Sequence, residues 1–334
     1  MGLHPKLNKF ASSVWNRRAA LLYGGDRSST SDDTVEDRVY RLYASEEAMS
    51  GINLQDELRW YARAMQSLDG YAQTRGFTLD RSQAGVFRRY ASAHYQRGER
   101  TDTYRIYMNA KPVYADGVMQ VILELAKKPA PTGIQVPPPN PRAPHRWQRG
   151  VAASPANLVE LAKVADDVTA FSQRRDKIVV YVSGGQDEAT ELAQLIMSRV
   201  RPEHLGSKVP PMTLKLAPGV SIGSEISGTQ WDVGTSFGEV RCDLLARALV
   251  RVVTGKKVKD FQQEFMLNEE ESGPVDVNWN KRYVAVPGHT GFYKVRAPVR
   301  QPPVADPSRD LTMFLSEVER KFTKYGVDPS QPWD

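Results

Sequence analysis

The chain of 334 residues is 40% hydrophobic and 25% charged, which is the composition of an ordinary globular protein of one or two domains. It contains no run of about 18 uncharged apolar residues and begins without an apolar segment, so we expect no membrane span, no secretory signal and a cytoplasmic location. The net charge of +6 is mild and includes no dense Lys/Arg block. Acidic ligands therefore fit the chain, whereas nucleic-acid and membrane binding are not predicted.

Cysteine and histidine usage argues against a metal centre. The single cysteine, Cys242, excludes an internal disulfide and a Cys-based metal site. The histidines show no spacing typical of metal ligands; they are His4, His94, His145, His204 and His289. We therefore predict that the protein uses no metal and no other cofactor.

The first hundred residues are predicted to be a tail followed by helices. Residues 1–34 include Ser28–Asp33 and the pair Gly24-Gly25, a composition that orders poorly, so we predict a flexible tail with one short helical piece. Residues 35–100 place apolar side chains at i, i+3, i+4 and i+7, as in Leu58, Tyr61, Ala62, Met65 and Leu68. This region is predicted to form an N-terminal helical layer.

Residues 101–255 are predicted to form the core, beginning with a strand over 103–109 and a helix. A Pro-rich loop over 129–150 follows. Ser154-Pro155 has the N-cap and first-turn residues of a helix that runs to about Phe171. Ser183–Gly185 lacks the rest of a P-loop and is predicted to be a turn from a buried strand into a helix. Later elements are a strand over Met212–Leu216 and a helix that begins after Ser236.

Two segments complete the chain. Residues 256–307 are polar and end in a Pro-rich stretch, and we predict an insertion, either a long loop or a small β excursion. Residues 308–334 contain an apolar stripe over Leu311–Lys324. We predict a C-terminal helix that packs on the core and ends at Gly326 in the left-handed conformation.

The strand at 103–109 carries the first candidate site residues. Alternation along a strand puts Arg105, Tyr107 and Asn109 on one face and the apolar Ile106 and Met108 on the other. Guanidinium groups hold phosphoryl oxygens well, because each arginine donates two parallel hydrogen bonds and keeps its charge. Further cations stand at element boundaries or on apolar faces, and together they predict a phosphate site: Lys163, Arg174, Arg175 and Arg241.

Each of these residues also has a purely structural interpretation. Arg241, on the apolar side of its predicted helix, either binds an anion near the helix start or pairs with an acid such as Asp166 or Glu239. Lys163 either forms ion pairs on a solvated helix face or acts as a base whose pKa is lowered by nearby arginines and partial burial. Tyr107 either donates a proton to a leaving oxygen or packs with its hydroxyl in water.

Short motifs follow one another along the chain: Tyr104–Asn109, Ala162–Ala165, Arg174–Val182, Leu216–Gly219, Ser236–Arg241 and Tyr325–Pro329. In order and spacing they resemble the HopA-type type III effector family. That family also includes the stand-alone lyase-like proteins of class V lanthipeptide and thioamitide gene clusters. The resemblance covers about residues 60–255 and the C-terminal end, and it rests on the order of the motifs, not on any one of them.

The resemblance implies an α+β fold in which an N-terminal helical layer packs on a small twisted mixed or antiparallel sheet with flanking helices. For the biosynthetic members it implies removal of phosphate from phosphoserine or phosphothreonine of a precursor peptide, after a separate kinase has added it. The product is dehydroalanine or dehydrobutyrine. The spacing is also distantly similar to the phosphothreonine lyase effectors. There a Lys-x-His strand motif supplies a phosphate contact and the general acid, a later lysine is the base, and arginines bind phosphate.

By this resemblance Arg105 corresponds to the strand lysine, Tyr107 to the histidine acid and Lys163 to the base. A tyrosine in place of the histidine raises the pKa of the acid from about 6.5 to about 10, which assures protonation but makes proton transfer harder. Lys215 is displaced by one residue from the family pattern, so we expect it on the other face of its strand. Arg174 or Arg175, together with Arg241, corresponds to the arginines that bind phosphate, and Asn109 and Lys215 are candidate supporting residues.

Three functions follow as hypotheses. The first is a metal-free carbon–oxygen lyase that acts on a phosphorylated precursor peptide, beside a separate peptide kinase, in ribosomal peptide natural product biosynthesis. The second is an effector that a type III system secretes into a host cell, where it binds an immune regulator without catalysis, with a secretion chaperone as a further partner. The third is a phosphopeptide reader that uses the same arginines without turnover.

Overall fold

The computed structural model describes residues 2–23, 34–44, 54–80, 87–92, 103–126, 159–166, 174–224, 237–258, 261, 268–270, 283–285, 292–294 and 310–333. Within these residues the helices α1 to α8 are Pro5–Asn16, Arg18–Tyr23, Val35–Ala44, Leu54–Thr74, Ala115–Leu125, Gln186–Met197, Phe237–Thr254 and Leu311–Lys324. The strands β1 to β10 are Thr78–Asp80, Phe87–Ala91, Thr103–Met108, Val159–Ala165, Ile178–Ser183, Leu214–Ala217, Val220–Ser224, Asn268–Glu270, Tyr283–Ala285 and Phe292–Lys294. Short 3-10 helices cover Pro112–Tyr114 and Pro202–His204. The Pro-rich loop over 129–150 lies outside the described residues.

The chain forms two compact units. The first comprises residues 1–44, 228–332 and 334, and the second comprises residues 45–227 and 333. The region over 35–100, predicted as one helical layer, is therefore divided, since α3 belongs to the first unit and α4 to the second. Its last part forms β1 and β2 instead of helices, because these residues pair with each other and β2 pairs with β4.

The second unit is built on a seven-stranded sheet. The strand order is β1-β2-β4-β5-β3-β7-β6, and every neighbouring pair is antiparallel. The α+β fold class is confirmed, and of the two sheet types left open the structure has the antiparallel one. The predicted turn over Ser183–Gly185 is also found, because β5 ends at Ser183 and α6 begins at Gln186.

One face of this sheet carries the apolar core of the second unit. Ile106 and Met108 of β3 are completely buried there, with Val180 of β5 and Val164 of β4. Helices α4, α5 and α6 supply the apolar side chains that fill the other half of the same core, among them Leu68, Val118, Ile122, Leu192 and Ile196. Strand alternation therefore sends the intervening residues to the opposite face.

The strand β4 corrects a predicted element. Residues 154–171 were expected to form a helix, but Val159–Ala165 is a strand that pairs with β2 on one side and with β5 on the other. Its buried residues fall at spacings of two, one, two and one, which fit a helix stripe as well as a strand buried on both faces. The strand is formed and not the helix, because β2 and β5 flank β4 and satisfy its backbone hydrogen bonds.

The first unit consists of helices and a small sheet. In α1 the apolar residues Leu7, Phe10 and Val14 are buried, and Trp15 stacks on Phe314 of α8 with ring centroids 5.4 Å apart. The predicted flexible tail is therefore wrong for α1 and α2, since an apolar stripe on α1 is buried by tertiary packing. Residues 24–33 of that tail lie outside the described residues.

The C-terminal part of the first unit follows the sequence closely. Helix α8 covers Leu311–Lys324, its N-cap Asp310 accepts a hydrogen bond from the Met313 N–H at 2.9 Å, and Gly326 has φ +78°. In the segment 256–307 the described strands β8, β9 and β10 form a three-stranded antiparallel sheet. Among the described helices of both units, none is long and apolar enough to cross a membrane.

Candidate functional site

The face of the seven-stranded sheet opposite the apolar core carries cations and aromatic rings. Arg105 and Tyr107 of β3 point to it and are 2% and 3% exposed, while Ile106 between them lies in the apolar core. The predicted alternation along this strand is confirmed. We call this side of the sheet the cationic face, defined by Arg89 of β2, Lys163 of β4 and Tyr181 of β5, together with Arg105 and Tyr107.

Lys163 shares the cationic face with Tyr107 and Arg105. It pairs with Val179 on β5, and Val179 pairs with Tyr107 on β3. Directly opposed residues of antiparallel strands lie on one face, so Lys163 and Tyr107 belong to the same row, two strand spacings or roughly 10 Å apart. Lys163 thus reaches this face from a strand, and not from the helix that the sequence predicted.

Cations and aromatic rings alternate on this face. The guanidinium carbon of Arg174 lies 4.8 Å from the centroid of the Phe87 ring, and Lys163 Nζ lies 4.6 Å from the same centroid. Lys163 Nζ also lies 5.3 Å from the centroid of the Tyr181 ring, and the guanidinium carbon of Arg105 lies 4.4 Å from it. The negative face of each ring attracts both of its cations and holds them in place. We call these five residues the cation–aromatic ladder.

The pKa of Lys163 is lowered from its ordinary value of 10.5. Burial is the main cause, because it disfavours the charged ammonium, and the positive charge of Arg105 lowers the pKa further. A hydrogen bond and electrostatic attraction from Tyr181, and the charge of Asp176, act in the opposite direction. Lys163 therefore has a larger neutral fraction near pH 7 than a solvated lysine, and the neutral amine is the form that can accept a proton.

Arg174 and Arg175 differ in their partners. Arg174 donates from Nε and Nη2 to the two carboxylate oxygens of Asp176, at 2.8 and 2.9 Å. Such a bidentate pair fixes the guanidinium and partly neutralises it. Arg175 Nε is buried and has no hydrogen-bond acceptor among the described residues. Of these two predicted phosphate ligands, Arg175 therefore has the greater capacity for a further anion.

Asn109 holds a loop beside the cationic face. Its side-chain Nδ2 donates to the carbonyl oxygen of Lys208 at 3.1 Å, and its backbone N–H donates to Gly219 at 2.8 Å. Its carbonyl oxygen accepts from the Gly206 N–H at 2.7 Å. These bonds attach the loop over 206–208 to the end of β3, so the described contacts of Asn109 make it a positioning residue.

Lys215 lies on β6 at the edge of the sheet. It pairs with Ser221, and Ser221 pairs with Tyr107, so Lys215 shares the face of Tyr107. This position contradicts the expectation that Lys215 faces the other side, because regular pairing with Ser221 sets its face and the irregularity of β6 comes only after it, between Lys215 and Ala217. Its Nζ is 3.5 Å from the carbonyl oxygen of Ser207.

Arg241 lies in the first unit, on α7, whereas the cationic face belongs to the second. Its side chain is completely buried. Its Nε donates to the carbonyl oxygen of Pro332 at 2.5 Å, and its guanidinium carbon lies 3.6 Å from the centroid of the Phe237 ring. These contacts bind α7 to the C-terminal segment. The role of Arg241 as a phosphate ligand stays a prediction from the sequence.

Three further residues of the cationic face and the ladder were not among the predicted site residues: Arg89, Phe87 and Tyr181. Arg89 pairs with Lys163 across β2 and β4, and its Nε is buried without a hydrogen-bond acceptor among the described residues. Because residues 35–100 were predicted to be helical, strand β2 was not predicted. Alternation in Phe87–Ala91 would have grouped Phe87 with Arg89, but Tyr181 lies in an unbroken apolar run in which nothing marks one face as polar.

Residues 152–277 match the model of the HopA1 effector protein family. The resemblance that the motifs indicated is confirmed by this match. No curated protein matches the chain.

Three solved structures resemble this fold to different degrees. An effector protein from Pseudomonas syringae pv. tomato strain DC3000 is 15% identical with a TM-score of 0.50, covering 97% of this chain and 98% of that one. An effector protein from Pseudomonas syringae pv. syringae strain 61 is 14% identical with a TM-score of 0.55, covering 98% and 95%. At these identities the likeness shows a common fold. The type III effector and phosphothreonine lyase OspF from Shigella flexneri is 12% identical, covering 56% and 88%, and its TM-score of 0.30 carries no argument.

Proposed function

We propose that this protein is a lyase that eliminates phosphate from phosphoserine or phosphothreonine of a peptide. The observation that carries the proposal is Lys163, whose pKa is lowered, beside Arg105 on one sheet face, with Tyr181 in contact with both. Elimination of phosphate needs a base that is deprotonated before it accepts the Cα proton. It also needs a cation that keeps its charge while it binds the phosphate. Lysine and arginine differ in this respect, because a lysine pKa falls on burial while the guanidinium stays charged.

Arg105 and Arg175 bind the phosphate group in this proposal. Arg105 is held against Tyr181 on the same face as Lys163, and the buried Arg175 Nε is available to an acceptor. Their positive charges lie beside the phosphate oxygens and stabilise the departing phosphate dianion. This stabilisation is largest in a site from which water is excluded. Arg174 supports the ladder through Phe87 while it remains paired with Asp176.

The reaction is a β-elimination. The Lys163 amine accepts the Cα proton, the electrons of the Cα–H bond form the Cα=Cβ double bond, and the Cβ–O bond breaks as phosphate leaves with its electron pair. Tyr107, in the same row as Lys163, supplies a proton to the departing oxygen. The products are dehydroalanine or dehydrobutyrine in the peptide and inorganic phosphate. Proton transfer from Lys163 to water restores the base, and proton transfer from water to the Tyr107 phenolate restores the acid.

The substrate class implies a partner reaction. A phosphorylated serine or threonine must be supplied by a peptide kinase, and the dehydro residue is an electrophile that a nucleophile such as a thiol can attack. We infer that the protein acts between such a kinase and such a ring-forming step in ribosomal peptide natural product biosynthesis. The precursor peptide and the kinase are then its partners.

Mass spectrometry of a phosphopeptide tests the proposed function. Wild-type protein is incubated with phosphoserine and phosphothreonine peptides, beside Lys163→Ala and the matched control Arg199→Ala, an exposed cation of the same unit. We expect loss of phosphoric acid with wild type and with Arg199→Ala, and none with Lys163→Ala. Phosphopeptide binding without any mass change would identify a reader instead of a lyase.

The alternative function is a secreted effector that binds a host immune regulator without catalysis, with a secretion chaperone as a further partner. The specific support is that the matching family model and two solved structures of similar fold are those of effector proteins. Neither turnover nor binding across a panel of phosphopeptides would favour this function.

A further inference from the structure

Arg89 and Arg88 are neighbours on β2 with opposite surroundings. Arg88 is bound by two carboxylates, since its Nη1 lies 2.9 Å from Asp69 Oδ2 and its Nε lies 2.7 Å from Asp166 Oδ1. Arg89 points to the cationic face, and its buried Nε has no hydrogen-bond acceptor among the described residues. A buried donor without an acceptor destabilises the fold, because its lost hydration is not replaced. Arg89 Nε can therefore donate a hydrogen bond to an acceptor on a bound ligand.

The sheet register places Lys163 between Arg89 and the Tyr181–Arg105 pair. Lys163 pairs with Arg89 of β2 on one side, whereas β5, which carries Tyr181, is its neighbour on the other. Adjacent strands are about 4.8 Å apart, so Arg89 begins one strand spacing from Lys163, on the side away from Arg105. When a phosphate is bound at Arg105, Arg89 lies on the opposite side of Lys163 from that phosphate.

The chemistry of the phosphorylated residue fits this order of groups. Its Cα, which carries the proton to be removed, lies between the carbonyl carbon and the Cβ that bears the phosphate. With the phosphate at Arg105 and the Cα–H at Lys163, the carbonyl oxygen of the same residue is directed toward the side of β2. An oxygen that gains negative charge during a reaction is stabilised by a donor placed in advance.

We propose that Arg89 binds the carbonyl oxygen of the phosphorylated residue and stabilises the enolate that forms when Lys163 removes the Cα proton. The electrons of the Cα–H bond first move to the carbonyl oxygen beside Arg89. They return to form the Cα=Cβ bond as the Cβ–O bond breaks, and phosphate leaves with its electron pair. The inference rests on the proposed function and adds to it a catalytic residue on β2.

Arg89→Met tests this role, because it keeps the length of the side chain and removes every donor. We expect kcat to fall about 100-fold, as for loss of one oxyanion donor, with KM for the phosphopeptide nearly unchanged. The deuterium isotope effect on kcat with a Cα-deuterated phosphoserine peptide should rise, because C–H cleavage becomes more rate-limiting. Arg89→Lys, which keeps a donor, should regain part of the rate, and Arg63→Gln, an exposed arginine of the same unit, is the matched control.

The outcomes separate the inference from the proposed function. Turnover by Arg89→Met within about threefold of the wild type would overturn the inference alone. A raised KM at unchanged kcat would also overturn it, since Arg89 would then bind the phosphate in the ground state. No turnover by the wild-type protein on any phosphopeptide would instead overturn the proposed function and the inference together. Equal thermal unfolding midpoints of wild type, Arg89→Met and Arg89→Lys establish that the fold is intact in both variants.

Discussion

At β3 the two faces of the seven-stranded sheet are buried to a similar degree but have opposite chemistry. On one face Ile106 and Met108 are completely buried among apolar side chains, and on the other Arg105 and Tyr107 are 2% and 3% exposed. Burial of apolar groups stabilises the fold, whereas burial of several cations together costs free energy. The comparison teaches that the apolar face specifies the fold, while the cationic face is the part of the sheet that we propose binds a ligand of opposite charge.

The largest effect is expected on the apolar face. Ile106→Ala removes a completely buried side chain at the centre of the core and should lower the free energy of unfolding by about 2–5 kcal/mol. Urea unfolding measures this change. Ile106→Val is the graded control and should lose only about 0.5–1.5 kcal/mol. Equal stability of both variants would mean that this face does not carry the core.

The neighbouring residue should behave in the opposite way. Arg105→Met removes a buried charge from the cationic face, so we expect unchanged or higher stability, yet phosphopeptide binding weaker by about 100-fold, or about 2.8 kcal/mol. Calorimetric titration with phosphorylated and unphosphorylated forms of one peptide measures the loss. If both forms lose affinity equally, Arg105 does not bind the phosphate.

Arg88 and Arg89 extend the comparison to two adjacent cations. Arg88→Met should lower the free energy of unfolding by about 1–2 kcal/mol, because it removes the charged partner of Asp69 and Asp166. Arg89→Met should not lower it. Thermal unfolding of both variants tests the contrast, and a larger loss of stability in Arg89→Met would show that Arg89 is a structural residue.

The smallest effect concerns pH and Lys163. Its pKa is lowered in the folded state, so between that pKa and 10.5 the unfolded chain binds more protons, and stability rises with pH. Lys163→Met should therefore be more stable than the wild type near pH 7, and the difference should shrink as pH rises toward 10.5. Urea unfolding of both proteins at several pH values measures the difference. A constant difference across this range would contradict the lowered pKa.

The sequence predicted individual faces better than it predicted elements. Alternation along β3 correctly separated Arg105 and Tyr107 from Ile106. A strand with one polar and one apolar face has an alternating sequence, so the sequence shows which residues share a face. Lys163 was predicted on a helix, because a strand buried on both faces has no period that distinguishes it. Arg89 was missed altogether for a related reason, since β2 is short and its pairing partner β4 begins 68 residues later in the chain, at Val159.

The sequence by itself determined the fold class, the candidate residues from which a phosphate site is proposed, and the resemblance to the HopA-type effector family. Composition, alternation and motif order are properties that can be read directly from the sequence. Only the tertiary structure decided which cations share a surface, because register across β2, β4, β5 and β3 brings Arg89, Lys163 and Arg105 together. Long-range strand pairing is a property of the folded backbone, and the lowered pKa of Lys163 follows from the burial that this pairing produces.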